Sequence, residues 1–385
     1  MVEINQNAFT PQSTPLHYEV EEQSLVPKTT NDEECEDALY IGPSFVAVID
    51  GATSKTERRW DGQTGGRIAA LTLKEAFDHI PPDATAREAI DILTTAIKEL
   101  YEHYQVLDIM RDDPVQRATA CVVVVSFFRK EVWFVGDCQC LLNQKLLLNK
   151  KKIDTITANA RSMFLETEIA KGKAVEELRQ NDTGRAFILP LLERQMLFQN
   201  NPAAGQYWFS IIDGFAVSDE GIYVQSLPTD IQTIVLASDG YPYLKETLEA
   251  SEACLQEVLD DDPLLFQKHK ATKGVSKGNI SFDDRAYIKL NILPLPASSA
   301  SHQSTAIVEP GKSTSISQGV EITASGCLSS VRDYDTMAPQ LDIDELDWHK
   351  IVTTPHVQHG LRNRAAEARR QAIAGEFEEG GFVIE

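Results

Sequence analysis

Acidic residues stand at the ends of apolar runs at five places in the chain. They are Glu36-Asp37 in CEDALY, Asp50-Gly51 in FVAVIDGAT, Asp137 in FVGDCQCLL, Asp239-Gly240 in VLASDGY and Asp283-Asp284 in SFDDRAYIKL. A strand that ends in a carboxylate carries it to the rim of its sheet. If those rims coincide, several carboxylates collect in one place, a density of negative charge tolerable only with cations between them. An all-oxygen set suits Mg²⁺ or Mn²⁺ better than zinc, which prefers nitrogen and sulfur. Two such ions can share a carboxylate and hold a water as hydroxide for in-line attack on phosphorus. Each piece alone is weak, because an Asp-Gly pair after a strand is most often a turn. Asp213-Gly214 is a further such pair and reads as structural.

The elements that must position these acids can be read from periodicity. From about Ala38, ALYIGPSFVAVID is strand-like and ends in the Asp-Gly turn signal. Residues 62–79 and 84–106 place apolar residues three and four apart and read as amphipathic helices. ATACVVVVSFF (118–128) and EVWFVGDCQCLL (131–142), with only Arg129 and Lys130 between them, predict a tight antiparallel hairpin. Residues 156–200 read as helical with a break at Asn181, Asp182 and Gly184. Strands are expected at 206–213, 221–227 and 231–239, a helical stretch near 241–269, and a last strand at 283–293. Hairpins outnumber βαβ crossovers, so the order predicts an α+β fold of antiparallel sheets covered by helices.

Composition bounds the rest. The 385 residues carry 36 Lys+Arg against 58 Asp+Glu, a formal net charge of −22. That balance disfavours nonspecific binding to nucleic acid or an anionic membrane and favours capture of cations. No segment approaches the roughly 18 apolar residues of a membrane helix. The first residues show no basic segment followed by an apolar run, so no secretory signal is expected. Cys35, Cys121, Cys138, Cys140, Cys254 and Cys327 lack CxxC spacing and read as free thiols of a reducing, cytoplasmic compartment. Residues 1–30 read as a flexible N-terminal arm, 31–293 as the catalytic domain, 294–338 as a Ser/Pro/Thr-rich linker, and 339–385 as an acidic segment with one short helix candidate at 361–373.

Taken in order, Glu36-Asp37-Ala38, VIDG, the TACVVVV…VWFVGDCQ hairpin, VLASDG and DDRAYI resemble the motif series of the type 2C metal-dependent serine/threonine protein phosphatases, as a divergent, bacterial-like member. The resemblance implies a four-layer sandwich, with two central antiparallel β-sheets flanked by α-helices. It also implies a dinuclear Mg²⁺ or Mn²⁺ centre whose bound hydroxide attacks phosphoserine or phosphothreonine in line. By position, Asp50 would bridge both metals and Gly51 would lend its carbonyl oxygen. Glu36 and Asp37 fall on the early acidic pair, and Asp239 on the Ser-Asp-Gly motif. Asp283 matches the last metal-binding Asp, with Asp284 beside it, and Asp137 the place where some relatives bind a third ion. Asp50, Asp239 and Asp283 would thus carry catalysis.

The sequence also departs from the family. Asp50-Gly51 is followed by Ala52-Thr53-Ser54, without the histidine often assigned as general acid. NDEECED lacks the phosphate-clamping Arg, and Cys138 follows Gly136-Asp137 where Ser is usual. Arg67, then Arg58 and Arg59, are the candidates to replace the clamp, since guanidinium matches phosphate oxygens; the bland reading is a solvated arginine. Cys138 and Cys140 read as core, with oxidation sensing as the sharper alternative. His79 and His103 read as surface residues, and Trp348-His349 as a docking or anchoring pair. The expected partners are a phosphorylated protein substrate and a cognate kinase, for a monomer with no nucleic acid or membrane partner. The rival function is a pseudophosphatase acting as a binding or regulatory module, and a third is a hydrolase of a small phosphorylated metabolite.

Overall fold

The computed structural model describes residues 15–294. Ten strands form two five-stranded, wholly antiparallel sheets. In the first the order is β2 (Ala38–Ile41), β3 (Phe45–Gly51), β4 (Ala120–Ser126), β5 (Glu131–Val135) and β8 (Tyr223–Ser226). The second runs β1 (His17–Val26), β10 (Arg285–Leu293), β9 (Thr233–Ala237), β6 (Gln139–Leu142) and β7 (Lys145–Leu148).

Alternation along β3 and β4 explains the layering. Ala47, Ile49, Val122 and Val124 pack on α1 (Gly65–Ala76) and α2 (Ala86–His103), through Ala69, Leu73, Ile90 and Leu93. Val46, Val48, Val123 and Val125 face the other sheet, meeting Cys140, Ile234, Leu236, Ile288 and Leu290. Successive strand side chains point to opposite faces, so a strand buried on both reads as the unbroken apolar run seen at 120–125. The far face of the second sheet is covered by Tyr241, Leu244 and Leu248, the last opening α7 (Leu248–Asp261). α3 (Leu107–Asp112) follows α2, while α4 (Lys152–Ala170), α5 (Val175–Gln180) and α6 (Thr183–Arg194) form a separate group with Leu165, Leu178, Leu264 and Phe266 at its centre. Among the described residues no helix is long and apolar enough to cross a membrane.

The two-sheet, helix-flanked expectation holds, with five local corrections. The arm expected over residues 1–30 is strand β1 from His17, paired along β10, and the domain therefore begins before residue 31. β1 is an edge strand carrying Glu19, Glu21 and Glu22, so its sequence lacks an apolar run. The strand expected at 131–142 is two strands in different sheets, broken at Gly136. Gly136 has φ +95, and a β-carbon there would stand 2.2 Å from Cys121 Sγ. The strand expected over 206–213 begins inside a 3-10 helix (Pro202–Tyr207) and otherwise makes only isolated bridges at Phe209 and Ile212, as the Asn200 side chain takes the Ile211 N–H (3.1 Å) and C=O (2.7 Å) in place of a ladder. β7, another edge strand, was not anticipated, and helix occupies only 248–261 of the stretch 241–269. The linker, the acidic segment, the 361–373 helix, Trp348-His349 and Cys327 lie outside the described residues.

Candidate active site

Backbone contacts assemble the acidic strand ends in one cleft between the sheets. Glu36-Asp37 precede β2, Asp50 and Gly51 close β3, Asp239 follows β9, and Asp283-Asp284 precede β10. Gly51 N–H donates to Glu36 O (3.2 Å), Asp239 N–H to Asp50 Oδ2 (3.4 Å), and Glu36 N–H to Asp284 Oδ2 (3.3 Å). Glycine permits the approach: a β-carbon on Gly240 would stand 1.9 Å from Asp284 O. Asp137 sits where the chain changes sheets, and its charge acts on both Asp50 and Asp239.

The structure divides these acids into two groups. Lys28 Nζ lies 2.6 Å from Glu36 Oε2, 2.8 Å from Asp284 Oδ2 and 3.9 Å from Asp283 Oδ1. Lys273 pairs with Asp283 Oδ2 at 2.6 Å and Lys151 with Asp137 Oδ2 at 3.0 Å. Glu36 also accepts from Thr64 (2.6 Å) and Thr53 (3.2 Å), and Asp284 from the Lys28 backbone N–H (2.7 Å). The second group is Asp37, Asp50 and Asp239, which lie outside these ion pairs. Asp37 is 4% exposed, and its Oδ2 is buried without a partner.

Electrostatics follows that division. Burial first, then the charges of Asp283, Asp284 and Asp239, pushes Asp37 well above the carboxylate range, although Ser238 bonds to it. Desolvation and the charges of Asp37, Asp283 and Asp137 do the same to Asp50. Asp239 opens onto solvent at the rim, yet desolvation by the cleft walls and the charges of Asp50, Asp283 and Asp137 raise it too. Burial alone would raise Asp283, but the ammonium groups of Lys273 and Lys28 hold it below its ordinary value.

Three carboxyls left against their own charge, one with an orphaned buried oxygen, fit a hard divalent cation in donor chemistry. As they stand, no three Asp, Glu, His or Cys side chains among the described residues are placed to hold a metal ion together. The lysines hold the outer carboxylates instead.

The positively charged groups were not legible in the sequence. Lys28 lies in the segment expected to be an arm, and Lys151 in a three-lysine run that reads by default as a solvated face. Lys273 is placed by a loop tied down at a distance. The fully buried Arg161 bonds Asp182 (2.7 Å) and the carbonyls of Leu264, Leu265 and Ala271, and Arg185 bonds that of Thr272 (3.0 Å). Lys55, in the loop after Asp50, donates to Thr53 O, and burial with the charges of Arg185 and Lys273 pushes it down to about 7.

Two of the three arginine candidates are engaged elsewhere. Arg67 reaches the Cys35 carbonyl (2.5 Å), Arg58 bonds Gln116 (3.3 Å) beside Trp60, and Arg59 is exposed. Cys138 and Cys140 are fully buried between the sheets, and His79 and His103 are exposed. Asp213, read as structural, is a buried node bonded by Arg117 (2.8 Å), Gln199 (2.7 Å) and Asn200 (2.9 Å).

A scan against models of known protein families finds no match, and no curated protein matches significantly. Solved structures do match in fold. The serine/threonine phosphatase PstP/Ppp of Mycobacterium tuberculosis is 15% identical at a TM-score of 0.36, over 72% of this chain and 99% of that one. Stp1, a serine/threonine phosphatase of Staphylococcus aureus, is 16% identical at 0.36, over 73% and 96%. RsbX, solved in complex with magnesium, is 10% identical at 0.32, over 72% and 100%. At such identities and scores the likeness says nothing of this chain's chemistry, which rests on the cleft itself.

Proposed function

We propose that this protein is a Mg²⁺- or Mn²⁺-dependent phosphatase acting on phosphoryl esters, with phosphoserine and phosphothreonine of proteins as its principal substrates. One observation carries the reading: Asp37, Asp50 and Asp239 come from three separate chain segments into one cleft, with an unpartnered Asp37 oxygen among them. A divalent cation bound there supplies Lewis acidity toward phosphoryl oxygen and makes a water acidic enough to attack phosphorus; the motif series favours two such cations. Asp50, at the end of the rigid β3 and beside the Asp239 backbone, is the residue best placed to serve both. Lys28 and Lys273 offset the charge of Glu36, Asp283 and Asp284, which lessens the repulsion a phosphate dianion would meet in the acidic cleft.

The test is hydrolysis of p-nitrophenyl phosphate by metal-stripped protein with and without Mn²⁺. Activity that appears with Mn²⁺ and vanishes on chelation is expected; no hydrolysis at any Mn²⁺ concentration overturns the proposal. A second reading has its own support, since lysines already neutralise Glu36, Asp137, Asp283 and Asp284. In that reading the chain is a binding module for a phosphoprotein or kinase, and it would bind phosphopeptide without turning it over.

A further inference from the structure

The two groups of carboxylates differ in what they still require. Glu36 and Asp284, 3% and 2% exposed, have their oxygens engaged by Lys28, Thr64, Thr53 and backbone N–H groups. Two buried carboxylates brought together normally demand a cation between them, and here one is already present. It is also held firmly, since Lys28 donates its backbone N–H to Asp284 (2.7 Å) and accepts at its carbonyl from Ile280 N–H (2.8 Å). Its ammonium therefore sits on a fixed backbone rather than at the end of a free tether. Asp37, Asp50 and Asp239 have no such partner, and Asp37 Oδ2 has none of any kind.

We propose that the Lys28 ammonium occupies one of the two cation positions of the cleft, so that the centre takes up a single divalent ion, at Asp37, Asp50 and Asp239. This rests on the metal-dependent reading above and changes its stoichiometry. An ammonium is a compact point charge that can neutralise two carboxylates but cannot polarise a water as a divalent metal does. The lysine side thus serves to hold charge and geometry, and the metal side alone is left for chemistry.

The experiment counts ions. Metal-stripped full-length protein is titrated with Mn²⁺, with free Mn²⁺ followed by electron paramagnetic resonance and heat by calorimetry. The expected result is one Mn²⁺ per wild-type chain, two for Lys28→Met, and one for Lys28→Arg, which keeps the charge. Two ions in the wild type overturn the inference and leave the metal-dependent reading standing. No bound ion in the wild type overturns that reading itself. One ion in both wild type and Lys28→Met shows that the ammonium is not what keeps the second place filled, and also overturns the inference. Thermal melts confirm that each variant is folded. Should Lys28→Met not fold, Lys28→Gln replaces it, and the wild-type count of one or two decides alone.

Discussion

Gly51 and Gly66 lie back to back. A β-carbon on Gly66 would stand 2.7 Å from the Gly51 carbonyl oxygen, and one on Gly51 would stand 2.4 Å from that of Gly66. The strand that ends in Asp50 thereby docks directly on the first turn of α1, with Thr64 capping the helix and holding Glu36 in the same stroke.

Gly66→Ala is expected to destabilise the protein. In an exposed helix the change gains about 1 kcal/mol, but here the new methyl meets backbone atoms that cannot swing aside, and overpacking costs about 1–3 kcal/mol. Gly65→Ala meets the movable Ser54 hydroxyl at 2.9 Å and should be milder. Thermal melts of the two variants check this; equal melting temperatures would contradict it.

Asp50→Asn and Asp239→Asn should each lower Mn²⁺-dependent hydrolysis by at least about 100-fold, the upper range for groups that merely support metal ligands. Asp213→Asn should act on stability instead. Its carboxylate is fully buried and pairs with Arg117, so the variant leaves that guanidinium without its counter-charge. Rate and melting temperature measured on the three variants separate the two roles.

The chain cut after Pro294 should fold and keep its activity on a small aryl phosphate. β10 ends at Leu293 and closes its sheet between β1 and β9. An insoluble product, or a collapse of its melting temperature, would show that residues beyond 294 complete the core.

Leaving-group dependence should be steep. A positioned acid contributes about 10²–10⁴-fold to expulsion of an alkoxide, and the loop after Gly51 has no histidine. Thr53 already donates its hydroxyl to Glu36, and Ser54, which accepts from Gly65 N–H, is an alcohol far too weak an acid to replace a histidine. Across substituted phenyl phosphates the rate should fall sharply as leaving-group pKa rises, with generic phosphoserine peptides turned over weakly. A flat dependence that becomes steep in Lys55→Met would give the acid's part to Lys55.

Metal-free protein should lose stability as pH rises from about 5 to 7. A carboxyl raised by folding keeps its proton where the unfolded chain has released it, so its contribution is full below the unfolded value of 3.8 and is lost as pH climbs through the raised one. Asp37, Asp50, Asp239, Asp154 and Asp213 all act in this sense. Carboxyls that folding lowers, such as Asp283 and Asp261, change stability only below 3.8, and Lys55 acts in the opposite sense only above about 7. Saturating Mn²⁺ should flatten the slope. A melting temperature that rises over this interval without metal would show that these carboxyls are not raised.

What the sequence made legible was the apolar part of the fold and the acids at its ends. β3 and β4 are buried on both faces, so their Val, Ile and Ala runs announce themselves, and Asp50 is read from its place at the end of one. Edge strands β1 and β7 do not, since water on one side admits Glu and Lys. The lysines were hidden for a different reason: each reaches the cleft from a loop whose path is fixed by distant contacts, as Arg161 fixes that of Lys273. No local pattern encodes such a path.

The pairing of His17 with Leu293 makes the described chain a ring fastened by backbone hydrogen bonds, the first strand against the last. Pairing residues so far apart costs loop entropy that local hairpins do not, and such non-local contacts are expected to form slowly. Lys28 lies just beyond that first strand, so its ammonium can meet the nearby Glu36 locally but reaches Asp284 only when the ring shuts. Until then Asp284 lacks that counter-charge, while Asp283 still has Lys273 beside it. Dissolved divalent ions would therefore act on the folding clock as well as on the finished molecule, standing in for a residue that has yet to arrive.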